Sequence, residues 1–186
     1  LGVRVSGVQK NFTEGDLKLT SNTLDLAIQG KGFFQITLPS GETAYTRNGA
    51  FKLNNEGTIV NSSGYPLSPE IVVPDNVTDL TIGKDGIVTA TDPQTSTTVD
   101  LGQITVADFI NPAGLTPLGD SLFMKSDASG DVLEGNPTES QFGSIQQGMI
   151  ELSNVKLVNE MVDLITAQRA YEANSKAITT ADGMLD

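Results

Sequence analysis

Apolar residues follow two different spacings along this chain, and the change falls near residue 150. Before it, they alternate with polar residues over short runs cut by turns. LDLAIQ (24–29) alternates cleanly and places Leu24, Leu26 and Ile28 on one face. Gly30 and Gly32 interrupt it, FFQITL (33–38) follows as a second strand, and Pro39-Ser40-Gly41 closes that. Further strand candidates are TAYT (43–46), AFKL (50–53), TIV (58–60), LTI (80–82), IVTAT (87–91), TVDL (98–101) and QITVADF (103–109). Between them stand Asn48-Gly49, Asn54-Asn55-Glu56-Gly57, Ser63-Gly64, Lys84-Asp85-Gly86 and Asn111-Pro112. Glycine accepts positive φ and Asn or Asp tolerates it, so such groups close hairpins. This pattern predicts a small antiparallel β domain over 23–140, its last part (126–140) polar and loop-like. An extended linker is expected over 1–22, with weak alternation at Val3, Val5 and Val8. No repeat of fixed period stands out.

Beyond residue 150 the spacing becomes helical. Every glycine except Gly183, and every proline, lies before that point. Residues 141–152 read as a linker, and 153–186 as one coiled-coil-forming helix with Ser153 or Asn154 as its N-cap. From 153 to 184 such a helix would run about 48 Å, more than the expected width of the β domain. Leu157, Val158, Met161, Leu164, Ile165, Tyr171 and Ile178 fall on one broad side. Ala167, Ala170, Ala173, Ala177 and Ala181 occupy much of the back and permit close approach of another helix. Glu172 and Lys176 are spaced i,i+4 in the favourable order. The stripe could fold back on its own β domain or pair with another helix; length favours pairing. The predicted fold class is therefore mainly β with a long C-terminal α-helix: a small antiparallel β domain plus an assembly helix.

Composition narrows the chemistry. The 186 residues carry a net charge of −12 with no basic cluster, which disfavours nucleic acid and anionic membrane surfaces. No apolar run is long enough to insert in a bilayer, and the N-terminus has no signal-peptide pattern. The chain starts at Leu1 without Met and is expected to be a fragment. His and Cys are absent, so no imidazole base, thiol nucleophile, disulfide or thiolate metal site can form. Asp75, Asp79 and Asp85 lack the calcium-loop frame and read as solvated turn acids. Gly30-Lys31-Gly32 lacks the phosphate-loop frame and reads as a turn. The few aromatics read as core. No catalytic, cofactor-binding or metal-binding residue is expected, and neither is an enzyme. A peptidoglycan-acting enzyme or a carbohydrate-binding adhesin are the alternatives from other classes.

LDLAIQGKGFFQI, AYTRNGAF, NPAGL and ELSNVKLVNEMVDLITAQRAYEANSKAI, which occur in that order over nearly the whole chain, resemble the signature segments of the flagellar rod–hook axial protein family. Within it the likeness is strongest to the distal-rod branch, with proximal-rod and hook subunits as runners-up. The resemblance implies a subunit exported through the flagellar type III pathway without a cleaved signal peptide. It implies helical self-polymerisation into a hollow drive shaft across the periplasm, transmitting torque to the hook. Proximal rod proteins, hook protein and ring bushing proteins are the further partners it implies. It also implies an N-terminal helix ahead of Leu1 and a short continuation after Asp186. The residues expected at inter-helix contacts are Val158, Met161, Val162, Ile165, Gln168, Arg169, Tyr171 and Glu172. Asp25, Gly30, Gly32, Phe33 and Phe34 are expected to shape the β domain, with Arg47 a weaker candidate for a contact between subunits.

Overall fold

A computed structural model describes residues 4, 10–77, 79–93, 97–139, 141–182 and 184. The expected alternation at Val3, Val5 and Val8 lies outside them. The chain divides into two compact units, Leu1–Leu152 and Ser153–Asp186.

The first unit is built from short strands. In chain order these are β1 (Leu17–Leu19), β2 (Leu26–Gln29), β3 (Phe33–Thr37), β4 (Thr43–Thr46), β5 (Lys52–Leu53), β6 (Ile59–Val60), β7 (Leu67–Ser68) and β8 (Asp79–Ile82). After them come β9 (Ile87–Thr91), β10 (Thr98–Gln103), β11 (Val106–Phe109), β12 (Thr116–Gly119), β13 (Leu122–Met124), β14 (Val132–Gly135), β15 (Ser144–Gln147) and β16 (Met149–Glu151). The largest sheet runs β12-β13-β4-β3-β11-β14, with β7 also paired to β3. β8, β9 and β10 form a three-stranded sheet, and β2 pairs β15, β1 pairs β16 and β5 pairs β6. The pairings are antiparallel.

β3 is the centre of this unit. Phe34 stands opposite Thr46 on one side and Val106 on the other, and Ile36 opposite Ala44 and Leu67. β3 has neighbours on both edges and packing on both faces, and Phe33 to Ile36, Gln35 included, are all buried. Successive side chains alternate between faces. Phe34 and Ile36 join the larger core with Leu26, Ile28, Phe51, Ile104 and Ile145. Phe33 joins a smaller cluster with Tyr45, Ala107, Phe109 and Leu115, onto which Phe12 and Phe123 pack. Gln35 is buried on Phe33's side of the strand and donates from Nε2 to Thr105 Oγ1 at 3.3 Å.

The structure corrects three expectations here. Residues 141–152, expected as a linker, hold β15 and β16. β15 completes β2 by setting Ile145 opposite Ile28. The loop-like stretch 126–140 contains β14, which lies along β11. The extended linker 1–22 contains β1, paired to β16. These strands carry little alternation of their own; an unpaired neighbouring edge recruits them, because a buried strand must satisfy its backbone groups.

The second unit contains α1 (Leu157–Asp182), 26 residues and about 39 Å long. It is free of Gly and Pro and rich in Ala, so local propensity favours it throughout. It starts four residues after Ser153, whose Oγ accepts from Val155 N at 3.3 Å within a preceding turn and not from the first helical turn. The carbonyl of Lys156 opens the helix by accepting from Asn159 and Glu160. No helix of the described residues is long and apolar enough to cross a membrane.

Candidate assembly surface

α1 carries its large apolar side chains exposed. Leu157, Val158, Met161, Val162, Leu164 and Ile165 crowd its first nine residues, and even the least exposed, Ile165, keeps 49% of its surface open. Farther on, Tyr171 and Ile178 are exposed as well. On a 3.6-residue helix, positions seven apart nearly superimpose. Leu157, Leu164, Tyr171 and Ile178 therefore make one unbroken apolar column. Met161 and Gln168 form the next column, then Val158, Ile165 and Glu172, then Val162 and Arg169. The eight predicted interface residues thus lie on one continuous side, apolar in the first half and, Tyr171 apart, polar in the second. Leu157, Leu164 and Ile178 were read as part of the same side but not singled out at the contact; their seven-residue recurrence is the signal for them.

Leu164, Ala167, Gln168 and Tyr171, with Glu172 beside them, line a shallow concavity on this helix. Their spacing, i, i+3, i+4 and i+7, is that of the four residues that form a hole for an incoming knob in coiled-coil packing. Ala167 supplies the floor because its side chain ends at Cβ.

The β-domain signature residues sit elsewhere, around the start of the large sheet. Asp25 Oδ1 accepts from Asn22 Nδ2 at 2.9 Å, and its backbone carbonyl accepts from Gly148 N at 2.7 Å. Gly30 and Gly32 link β2 to β3 at φ values of 111° and 136°, where other residues are strained. A Cβ on Gly30 would also lie 2.9 Å from the Cα of Gly143. Phe33 meets Phe12 and Phe109 edge to face, at centroid distances of 5.7 and 5.9 Å, and Phe34 meets Phe51 at 5.2 Å.

Arg47 lies just past β4 and is used within its own chain. Its Nη1 donates to the carbonyls of Gly30 (2.8 Å) and Gly32 (2.7 Å), and its Nη2 to that of Ile28 (3.2 Å). Its Nε donates to Glu151 Oε2 at 2.8 Å, and Nη2 lies 2.8 Å from the same oxygen. Sequence reasoning missed Glu151 altogether, because 104 positions separate it from Arg47. The arrangement also explains Gly30-Lys31-Gly32: the turn offers carbonyl oxygens to a cation, the reverse of a phosphate-binding loop.

Acidic side chains are dispersed. Among the described residues no three or more carboxylates gather as a metal site. Asp85 Oδ1 accepts from Ile87 N at 3.2 Å, a turn role. The phenol of Tyr45 is pushed above the ordinary value of 10.0 by burial and, secondarily, by the charge of Glu134.

A strand-built unit followed by a helix with exposed apolar columns has the make-up of a subunit that associates through that helix. Comparison with known proteins specifies the kind. Residues 27–90 match the flagellar hook protein FlgE/F/G D1 domain, and residues 146–186 match the flagellar basal body rod FlgEFG protein C-terminal region. The chain is 49% identical over 187 residues to the flagellar basal-body rod protein FlgG of Caulobacter vibrioides, covering 99% of this chain and 70% of that protein. It is 48% identical to FlgG of Agrobacterium fabrum (99% and 70%) and 43% identical to FlgG of Buchnera aphidicola subsp. Schizaphis graminum (99% and 71%). Against the rod protein FlgF of Caulobacter vibrioides the identity is 35%, over 92% of this chain and 66% of that protein. The chain belongs to the flagellar basal-body rod protein family.

Proposed function

We propose that this chain is the subunit of the distal rod, a structural element that polymerises helically with its own copies into the drive shaft crossing the periplasm and carrying torque to the hook. The observation that carries this reading is the exposed apolar surface of α1. Fully covering a Leu, Ile, Val or Met side chain contributes roughly 1.5–3 kcal/mol, so six of them within nine residues constitute a strong demand for a partner. The hole at Leu164, Ala167, Gln168 and Tyr171 gives that demand a geometry, that of another helix. Val158, Met161, Val162, Ile165 and Tyr171 supply burial at the contact. Gln168, Arg169 and Glu172 supply register, since polar groups placed among apolar columns select one alignment of helices. Close-packed interfaces deform little, which is what a shaft under torsion requires.

The distal assignment is supported by the identities within one organism, 49% to FlgG and 35% to FlgF of Caulobacter vibrioides. Proximal rod proteins, hook protein and ring proteins are then the neighbours at the two ends and around the shaft. Export is by the flagellar type III route. The role needs no catalysis and no cofactor.

Ile165→Asp in the full-length protein tests the helix. The variant subunit should be exported and its β unit should melt as the wild type does, yet no rod should form and cells should not swim. Normal rods and swimming in that variant would remove α1 from the interface.

A further inference from the structure

We propose that Arg47 and Glu151 are positioning residues that lock the segment entering the β unit and the strand leaving it into one rigid node, so that load applied at the chain ends passes into the large sheet. The ribbon of β1 and β16 pairs the first described strand of this unit with its last, with Leu17 opposite Glu151 and Leu19 opposite Met149. By itself it is weak. It has two strands and three residue pairs, and Leu19 is 72% exposed. Two-stranded ribbons of this length are marginal in water without outside support.

Gly148 N ties the ribbon to Asp25 O at 2.7 Å, and the clasp adds the side-chain support. Glu151 uses both carboxylate oxygens: Oε2 on Arg47, and Oε1 to accept from Gly15 N at 2.9 Å. Arg47, directly after β4, engages at the same time three carbonyls of the β2–β3 region. One side-chain pair therefore joins the incoming segment, the outgoing strand, the β2–β3 turn and the end of a strand in the large sheet. The pair is shielded, with side-chain exposures of 20% and 12%, whereas Lys125 and Asp131 pair in the open at 45% and 93%. Shielded, charge-assisted hydrogen bonds hold geometry better than solvated ones. The planar fork of arginine spreads donors on three nitrogens over one carboxylate and three carbonyls; the three donors of a lysine ammonium radiate from one nitrogen and do not span that set.

The torque-transmitting part rests on the rod function proposed above; the local part does not. Both can be tested separately. In the 186-residue chain, amide hydrogen exchange is followed at Gly15, Thr20 and Leu152, whose N–H groups bond to Glu151 Oε1, Gly148 O and Asp16 O respectively. Gly143, whose N–H bonds to Lys31 O, reports the β2–β3 turn. Glu151→Ala should speed exchange at Gly15, Thr20 and Leu152 at least tenfold while leaving Gly143 and the amides of β3 unchanged. Arg47→Lys should speed those three and Gly143 as well, again sparing β3. Glu151→Gln, which keeps one acceptor, should fall between wild type and Glu151→Ala. Exchange at Gly15, Thr20 and Leu152 within twofold of wild type in Arg47→Lys would overturn the proposal. So would equal acceleration throughout β3, which would make the pair a general stability element. In full-length protein, Arg47→Lys should be exported normally and reduce swimming; unimpaired swimming with a loosened ribbon would overturn the torque-transmitting part alone, since Ile165→Asp tests assembly independently.

Discussion

The β unit and α1 use the same kinds of side chain in opposite ways. In the β unit, Leu26, Phe34, Ile36 and Ile145 are almost completely buried within their own chain. In α1, Leu157, Met161 and Leu164 are mostly exposed. Apolar burial drives both folding and association, so where a residue's surface is covered decides which process it serves. The β unit has spent its apolar surface on its own fold. The helix holds its apolar surface in reserve for neighbours.

Large-to-small substitutions in the two regions can break this contrast. Phe34→Ala should cost the β unit about 3–5 kcal/mol, the usual range for emptying a fully packed aromatic site. Leu164→Ala should change the same melting transition by less than about 0.5 kcal/mol, as expected away from a core. Both are read by chemical denaturation of the 186-residue chain. A similar cost for the two would mean that α1 already contributes to the monomer's core.

A smaller effect is expected at Gly49. Its carbonyl accepts from Leu26 N at 2.9 Å, and a Cβ at this position would collide with the carbonyl of Leu26. Gly49→Ala should cost about 1–3 kcal/mol through forced displacement of the turn against β2. Unchanged stability would show that the turn has room to move. In α1, Ala170→Gly should lower helicity yet leave the β transition where it is.

The smallest effect concerns pH. The phenol of Tyr45 is held neutral by burial, with Glu134 adding to the upward shift. A raised folded value means that this contribution is whole below the unfolded value of 10.0 and is lost as pH rises through the folded one. Tyr45→Phe should therefore show a shallower loss of stability above about pH 10 than the wild type, measured by denaturation midpoints from pH 8 to 11. Parallel curves would mean that the phenol titrates alike in both states.

Much of this was legible from residue patterns. TAYT at 43–46 and IVTAT at 87–91 coincide with β4 and β9, since both combine β-propensity with clear turn signals on each side. The helix was legible because 3.6-residue periodicity and the lack of Gly and Pro act locally. Its start was misplaced, because the Ser153 hydroxyl is used in the turn before it. Of the signature residues, Gly30 and Gly32 were legible as turn formers, but the reason for their carbonyl orientation was not. That reason is a guanidinium supplied from beyond another strand.

Local spacing, then, determined on its own that this chain has a strand-rich part, a long helix and an apolar surplus on that helix, because period and propensity depend on near neighbours alone. Only the tertiary structure decided that β15 completes β2, that β1 pairs with β16, and that Arg47 closes on Glu151. Those choices depend on which edges, carbonyls and charges are left unsatisfied once the rest of the sheet has formed, and that is a property of the folded whole.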